Sequence, residues 1–92
     1  MSNKNQEVLD LYKNVLMPTY APSLVVASGK GVTVRDADNR TYYDFTAGIG
    51  VHNVGYGNKK VIEAIQNQAA KLTHSSNLFA NEPATPLAAK LV

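Results

Sequence analysis

The stretch from Thr46 to Gly57 constrains this chain more than any other. It holds Gly48, Gly50, Gly55 and Gly57, yet also carries Ile49, Val51 and Val54. A solvent loop has little use for so many apolar side chains. Glycine, in contrast, supplies backbone conformations closed to other residues and lets other groups approach closely. Such a stretch is expected to be a buried loop, folded against a partner or a ligand.

The flanking segments define an α+β chain. Val8, Leu9, Leu11, Tyr12, Val15 and Leu16 recur at helical spacing over Glu7 to Leu16. Asn3 or Asn5 is placed to cap this helix, and Pro18 stops it. From Leu24 to Phe45 the period drops to two. Val25-Val26 leads into a turn-like Ser28-Gly29-Lys30-Gly31, and Val32 and Val34 then alternate with Thr33 and Arg35. Asp36-Ala37-Asp38-Asn39 reads as a turn, because Asp and Asn bond their own backbone there. Thr41 to Phe45, rich in aromatic and β-branched types, returns as a strand. The pattern predicts an antiparallel meander of two or three strands.

Beyond the glycines, Asn58 is the expected cap of a helix whose Val61, Ile62, Ile65, Ala69 and Leu72 share one face. Lys59 and Lys60 in its first turn oppose the helix dipole and would suit an anionic neighbour. Thr85-Pro86 marks another helix start, with proline at the first helical position. Leu87, Ala88, Leu91 and Val92 open an apolar face with no capping signal after it, so the stretch reads as a piece cut from a longer chain. The expected division is a helical arm at 1–18, the meander and glycine-rich loop at 19–57, and helices at 58–92.

Several function classes fall away. With 92 residues the chain is one small domain at most. Nine basic against seven acidic residues leave a net charge of only +2, and Lys59-Lys60 is the sole adjacent basic pair. That is too little for a nucleic-acid surface. Without cysteine there are no disulfides and no thiolate zinc sites. His52 and His74 lack carboxylates at ligand spacing, so no metal site is expected. The polar start has no signal-peptide core, and no stretch nears the roughly 18 apolar residues that would span a bilayer. No membrane partner is expected, and the cytoplasm is the default location. Gly48-Ile49-Gly50 lacks the third glycine and acidic partner of a dinucleotide loop.

The order of segments says more. Thr19-Tyr20-Ala21-Pro22, Gly29-Lys30-Gly31 and Val34 to Phe45 resemble the opening of the class III aminotransferases. Ala47 to Val51 followed by Val54-Gly55-Tyr56-Gly57-Asn58 is similar to that family's glycine-rich loop and helix start. Leu72 to Phe79 and Asn81-Glu82-Pro83 resemble the matching segment of acetylornithine and succinylornithine aminotransferases. Tyr56 stands where the family has histidine, Lys59 where it has proline, and His52 where it often has asparagine. These departures bear on the choice of amino donor.

The resemblance implies part of the small domain and the start of the large domain of a fold type I aminotransferase. It also implies a homodimer using pyridoxal 5'-phosphate as electron sink. The implied reaction moves an amino group from N-acetylornithine, or a related ω-amino donor, to 2-oxoglutarate, in arginine biosynthesis. Tyr20, Gly48, Ile49 and Val51 match substrate-side positions. Tyr20 also reads as an ordinary half-buried tyrosine, and Ile49 and Val51 as core packing. Ser76, Asn77, Leu78 and Phe79 match a dimer interface near the partner's cofactor pocket, where packing alone would also explain them. The family's cofactor-binding lysine lies further along the chain than any lysine here. No catalytic or cofactor-binding residue is therefore expected in these residues, nor catalysis by them alone. The competing reading is a free-standing α+β binding or assembly module.

Overall fold

A computed structural model describes residues 3–92. It gives the order α1 (Lys4–Val15), β1 (Val26–Lys30), β2 (Thr33–Asp36), β3 (Thr41–Tyr43), α2 (Ala47–Gly50), α3 (Lys59–Lys71) and α4 (Ala84–Leu91). The chain divides into two compact units, one ending at Asn58 and the other running from Lys59 to Val92.

In the first unit the three strands form an antiparallel sheet in the order β1-β2-β3, the meander expected from the period-two pattern. Val34 faces Gly29 on one side and Tyr42 on the other. The sequence places a turn at Ser28 to Gly31, but β1 continues through Lys30 with an irregularity between Val26 and Ser28. The reversal falls on Gly31-Val32 instead, where Gly31 takes φ +58°. Only glycine adopts this region without penalty, which is why the turn settles there. The returning strand stops at Tyr43 and not at Phe45. Asp44 still donates its N–H to the Val32 carbonyl, but its side chain then turns the backbone away.

Among the described residues the buried side chains are Val34 and Asp36. A carboxylate at the centre is tolerable only when its oxygens are satisfied. Asp36 Oδ1 accepts from the Asp38 and Arg40 backbone N–H groups, and Oδ2 accepts from Asn5 Nδ2 and the Tyr42 hydroxyl, all at 2.9–3.0 Å. Burial pushes the Asp36 carboxyl up, but these four donors outweigh it and hold the group below its ordinary value. Bonding to Asp36 in turn raises the Tyr42 phenol.

The same turn holds α1, which buries no residue of its own. Asn3 occupies the cap position without a side-chain capping bond, and Asn5 already lies inside the helix. The cap comes from 34 residues away: Asp38 Oδ1 accepts the Lys4 N–H at 2.8 Å, and Oδ2 accepts the Asn5 N–H at 3.3 Å. A carboxylate at this end also complements the helix dipole. Asn5 is released to reach Asp36 and to accept the Ala37 N–H at 3.1 Å.

In the second unit α3 carries the expected apolar stripe, with Val61, Ile62 and Ile65 exposed. Helix α4 starts at Ala84, two residues ahead of Pro86. Asn81 starts it, accepting the Ala84 N–H at 2.9 Å on Oδ1 and the Thr85 hydroxyl on its carbonyl. Pro86 is still within the first turn, where its missing N–H costs nothing. No helix among the described residues is long and apolar enough to cross a membrane.

Candidate functional site

The glycine-rich stretch keeps its apolar side chains free of the rest of this chain. Ile49, Val51 and Val54 are not buried by this chain, and Ile49 is 94% exposed. The segment is an ordered turn nonetheless. Ala47, Gly48, Ile49 and Gly50 all take positive φ, at 50°, 63°, 60° and 78°. Gly50 donates to the Thr46 carbonyl and Val51 to that of Ala47, so α2 is a single turn of left-handed sense. Gly48 and Gly50 adopt this freely. Ala47 and Ile49 do not, at about 1–2 kcal/mol each, and a β-branched residue there is a genuine outlier. Strain of this kind persists only where the surroundings dictate it.

Asp44 supplies the first constraint. Its Oδ1 accepts the Thr46 N–H at 2.8 Å, the Thr46 hydroxyl at 2.9 Å and the Ala47 N–H at 3.0 Å. The Tyr56 hydroxyl donates a short hydrogen bond to Oδ2. This hydroxyl bond first, then the Thr46 and Ala47 donors, hold the Asp44 carboxyl far below the usual carboxylate range against the opposing effect of burial. The reciprocal effect raises the Tyr56 phenol above its ordinary value.

Tyr56 is fixed to the sheet in turn. Its N–H and carbonyl pair with the carbonyl and N–H of Gly31 at 2.9 and 2.8 Å. A methyl group at Gly29 would stand 2.6 Å from the ring's Cγ, which accounts for the glycine within β1. The ring also stacks on His52, with centroids 4.4 Å apart and planes inclined by 28°. The sequence marks Tyr56 and His52 as departures from a family pattern, with His52 also weighed and rejected as a metal ligand, and does not mark Asp44 as a site residue. Their partnership joins residues twelve apart through a turn whose handedness no residue type announces.

The expected site residues fall into three groups. Gly48, Ile49 and Val51 lie together on α2 and its C-terminal cap, with Ile49 and Val51 outward. Tyr20, itself exposed, lines a separate groove of about 310 Å³ with Leu9, Tyr12, Leu16 and Pro22. In the second unit, Ser76 and Asn77 line a hollow of about 260 Å³ with Gln68, His74 and Asn81. Ser76 takes φ 66°, and its hydroxyl accepts the Leu78 N–H at 3.3 Å. Leu78 and Phe79 project into solvent.

The model of the family "Aminotransferase class-III" matches residues 16–92. The acetylornithine aminotransferase of Methanocaldococcus jannaschii is 45% identical over 93 residues, covering 100% of this chain and 23% of that protein. That of Corynebacterium efficiens is 42% identical over 88 residues, 95% of this chain and 22% of its own length. Among solved structures, acetylornithine aminotransferase from Elizabethkingia anophelis superposes with TM-score 0.86 at 30% identity, over 95% of this chain and 23% of that one. The ornithine aminotransferase of Toxoplasma gondii gives TM-score 0.82 at 30% identity, over 95% of this chain and 21% of that one. The chain thus spans less than a quarter of the length of the relatives it matches. With sequence, order of elements and backbone path in agreement, this chain belongs to the class-III aminotransferase family.

Proposed function

We propose that this chain is the N-terminal part of a pyridoxal-phosphate-dependent, homodimeric aminotransferase. It spans part of the small domain and the start of the large one. Its donor is N-acetylornithine or a related ω-amino compound, its acceptor 2-oxoglutarate, and its setting arginine biosynthesis in the cytoplasm. The observation that carries this reading is the family match over residues 16–92, together with relatives that are acetylornithine aminotransferases at 42–45% identity.

Within that reading, α2 lies over the end of the donor remote from the reacting amine. Gly48 keeps the backbone low while Ile49 and Val51 offer apolar contact. From Thr46 to Val54 the chain carries no carboxylate, which suits an acylated end better than a second ammonium group. Tyr20 supplies a further substrate-side contact. Ser76, Asn77, Leu78 and Phe79 serve a subunit interface, where Asn77 supplies hydrogen bonds and the two apolar side chains supply buried area. The exposure of Leu78 and Phe79 in this chain supports that role.

Pyridoxal phosphate, when bound, is the electron sink for the carbanion formed at the amino carbon. A covalent site for it needs an amine shielded from water; all seven lysines are exposed in this chain, so these residues by themselves do not form one. The role left to these residues is to bind and orient substrate and partner.

The test is glutamate formation from 2-oxoglutarate by the aminotransferase that contains this chain. N-Acetylornithine should support turnover well above ornithine. No glutamate from any ω-amino donor would remove the reading.

A further inference from the structure

Four groups touch one after another in the first unit. Gly29 of β1 lies against the Tyr56 ring, the Tyr56 ring stacks on His52, and His52 lies beside Gly48 of α2. A methyl group at Gly48 would stand 3.3 Å from His52 Cδ2. The His52 N–H donates to the Ala47 carbonyl at 2.8 Å, and Gly55 donates to the His52 carbonyl at 3.0 Å. The column is therefore tied at both ends, to the sheet through Gly31 and to the turn through Ala47. At its side, Asp44 joins the Tyr56 hydroxyl to the first residues of that turn.

We infer that the Tyr56–His52 stack is a positioning element: it props the left-handed turn at a fixed height above the sheet, and so sets where Ile49 and Val51 meet the remote end of the substrate. This rests on the reading of α2 as a substrate loop. Two flat rings suit the task because they resist compression and their stacked separation is well defined. The strained φ at Ala47 and Ile49 is the expected signature of a turn held from outside its own sequence. Without the prop, Ala47 and Ile49 can relax toward negative φ, carrying the Ile49 side chain away.

The role predicts an effect on one class of donor. Removing the His52 ring should weaken binding of donors with a remote acylamino group and spare a plain alkylamine, which does not reach α2. In the complete aminotransferase, His52→Ala should raise the KM for N-acetylornithine about tenfold, with kcat and the KM for pentylamine within about twofold of wild type. His52→Phe, which restores a ring, should recover the wild-type KM. Tyr56→Phe keeps the ring but loses the Asp44 bond, and should shift KM the same way by a smaller factor. The independent readout is the position of the Ile49 methyl resonances in the cofactor-free protein, which should move in His52→Ala and return in His52→Phe. Unmoved Ile49 methyls in His52→Ala, or an equal loss with acylated donor and alkylamine, would overturn the inference. A wild-type protein without transaminase activity would overturn the loop reading instead, and the methyl comparison would still decide whether the stack holds the turn.

Discussion

Asn5 donates from Nδ2 to Asp36 Oδ2 at 2.9 Å and accepts the Ala37 N–H on Oδ1 at 3.1 Å, so one amide ties the first turn of α1 to the β2–β3 turn. With the Lys4 and Asn5 N–H groups bound to Asp38, a helix with no fully buried residue is tied down by hydrogen bonds to two aspartates.

That attachment should depend on pH with a definite sign. The Asp36 carboxyl is held below its ordinary value, so its contribution is full above the unfolded value near 3.9 and is lost as pH falls through the lower folded value. Thermal melts should be flat in this respect at neutral pH and lose stability below about pH 4. Asp36→Asn should remove the part of that slope that Asp36 supplies and leave the part from Asp44, whose carboxyl is also held low. The amide also places an N–H where Asp36 now meets only donors, so the variant should melt below wild type at pH 7. An acid transition identical in the two proteins would assign the slope elsewhere.

The phenols give a second titration. Tyr42 is raised by its bond to Asp36, and Tyr56 by its bond to Asp44. Both stabilise the fold while neutral, so their contribution is present below about pH 10 and lost as pH rises through the higher folded values. Ultraviolet difference titration should show two late-ionising tyrosines. Asp44→Asn should return Tyr56 toward the ordinary value and leave Tyr42 late, and Asp36→Asn should do the reverse. A single late phenol would refute one of the two pairs.

These pairs mark the limit of what the residues announce. The β2–β3 hairpin was legible because Val32 and Val34 alternate with polar neighbours and Asp36 to Asn39 can form only a turn. The stripe of α3 was equally plain. The cap of α1 was not, because Asp38 lies 34 residues from Lys4 and nearby Asn3 offers the same chemistry. Nor was the left-handed sense of α2, since isoleucine is among the last residues expected at positive φ. The glycine-rich stretch was expected to fold against a partner or a ligand; these residues order the turn and leave Ile49 outward. Local periodicity reports an element, whereas a turn held by a carboxylate and two rings depends on groups that only the fold assembles.

Gly29 offers a test of the contact between sheet and loop. An alanine methyl would stand 2.6–3.0 Å from the Cβ, Cγ and Cδ1 atoms of Tyr56, and ring and strand both have backbone partners that resist movement. Gly29→Ala should destabilise the protein by roughly 1–3 kcal/mol, the usual cost of overpacking. Combining it with Tyr56→Ala should cost less than the sum of the two single changes, because the clashing ring is gone. Urea unfolding of the four proteins measures this directly. Additive losses would mean that ring and strand do not press on each other.

Ile49 tests whether the turn trades stability for function. Asparagine tolerates positive φ far better than a β-branched residue, and Ile49 at 94% exposure forfeits almost no burial within this chain when replaced. Ile49→Asn should therefore relieve part of the 1–2 kcal/mol of left-handed strain and stabilise the protein by about 0.5–1 kcal/mol. If α2 contacts the donor, the same variant should raise the KM for N-acetylornithine several-fold with little change in kcat, the pattern of a lost binding contact. Gain in stability with loss of affinity is the expected mark of a strained functional residue. A gain in stability with an unchanged KM would keep the strain and remove Ile49 from the substrate, whereas a loss of stability would show that the isoleucine packs against something in the complete protein.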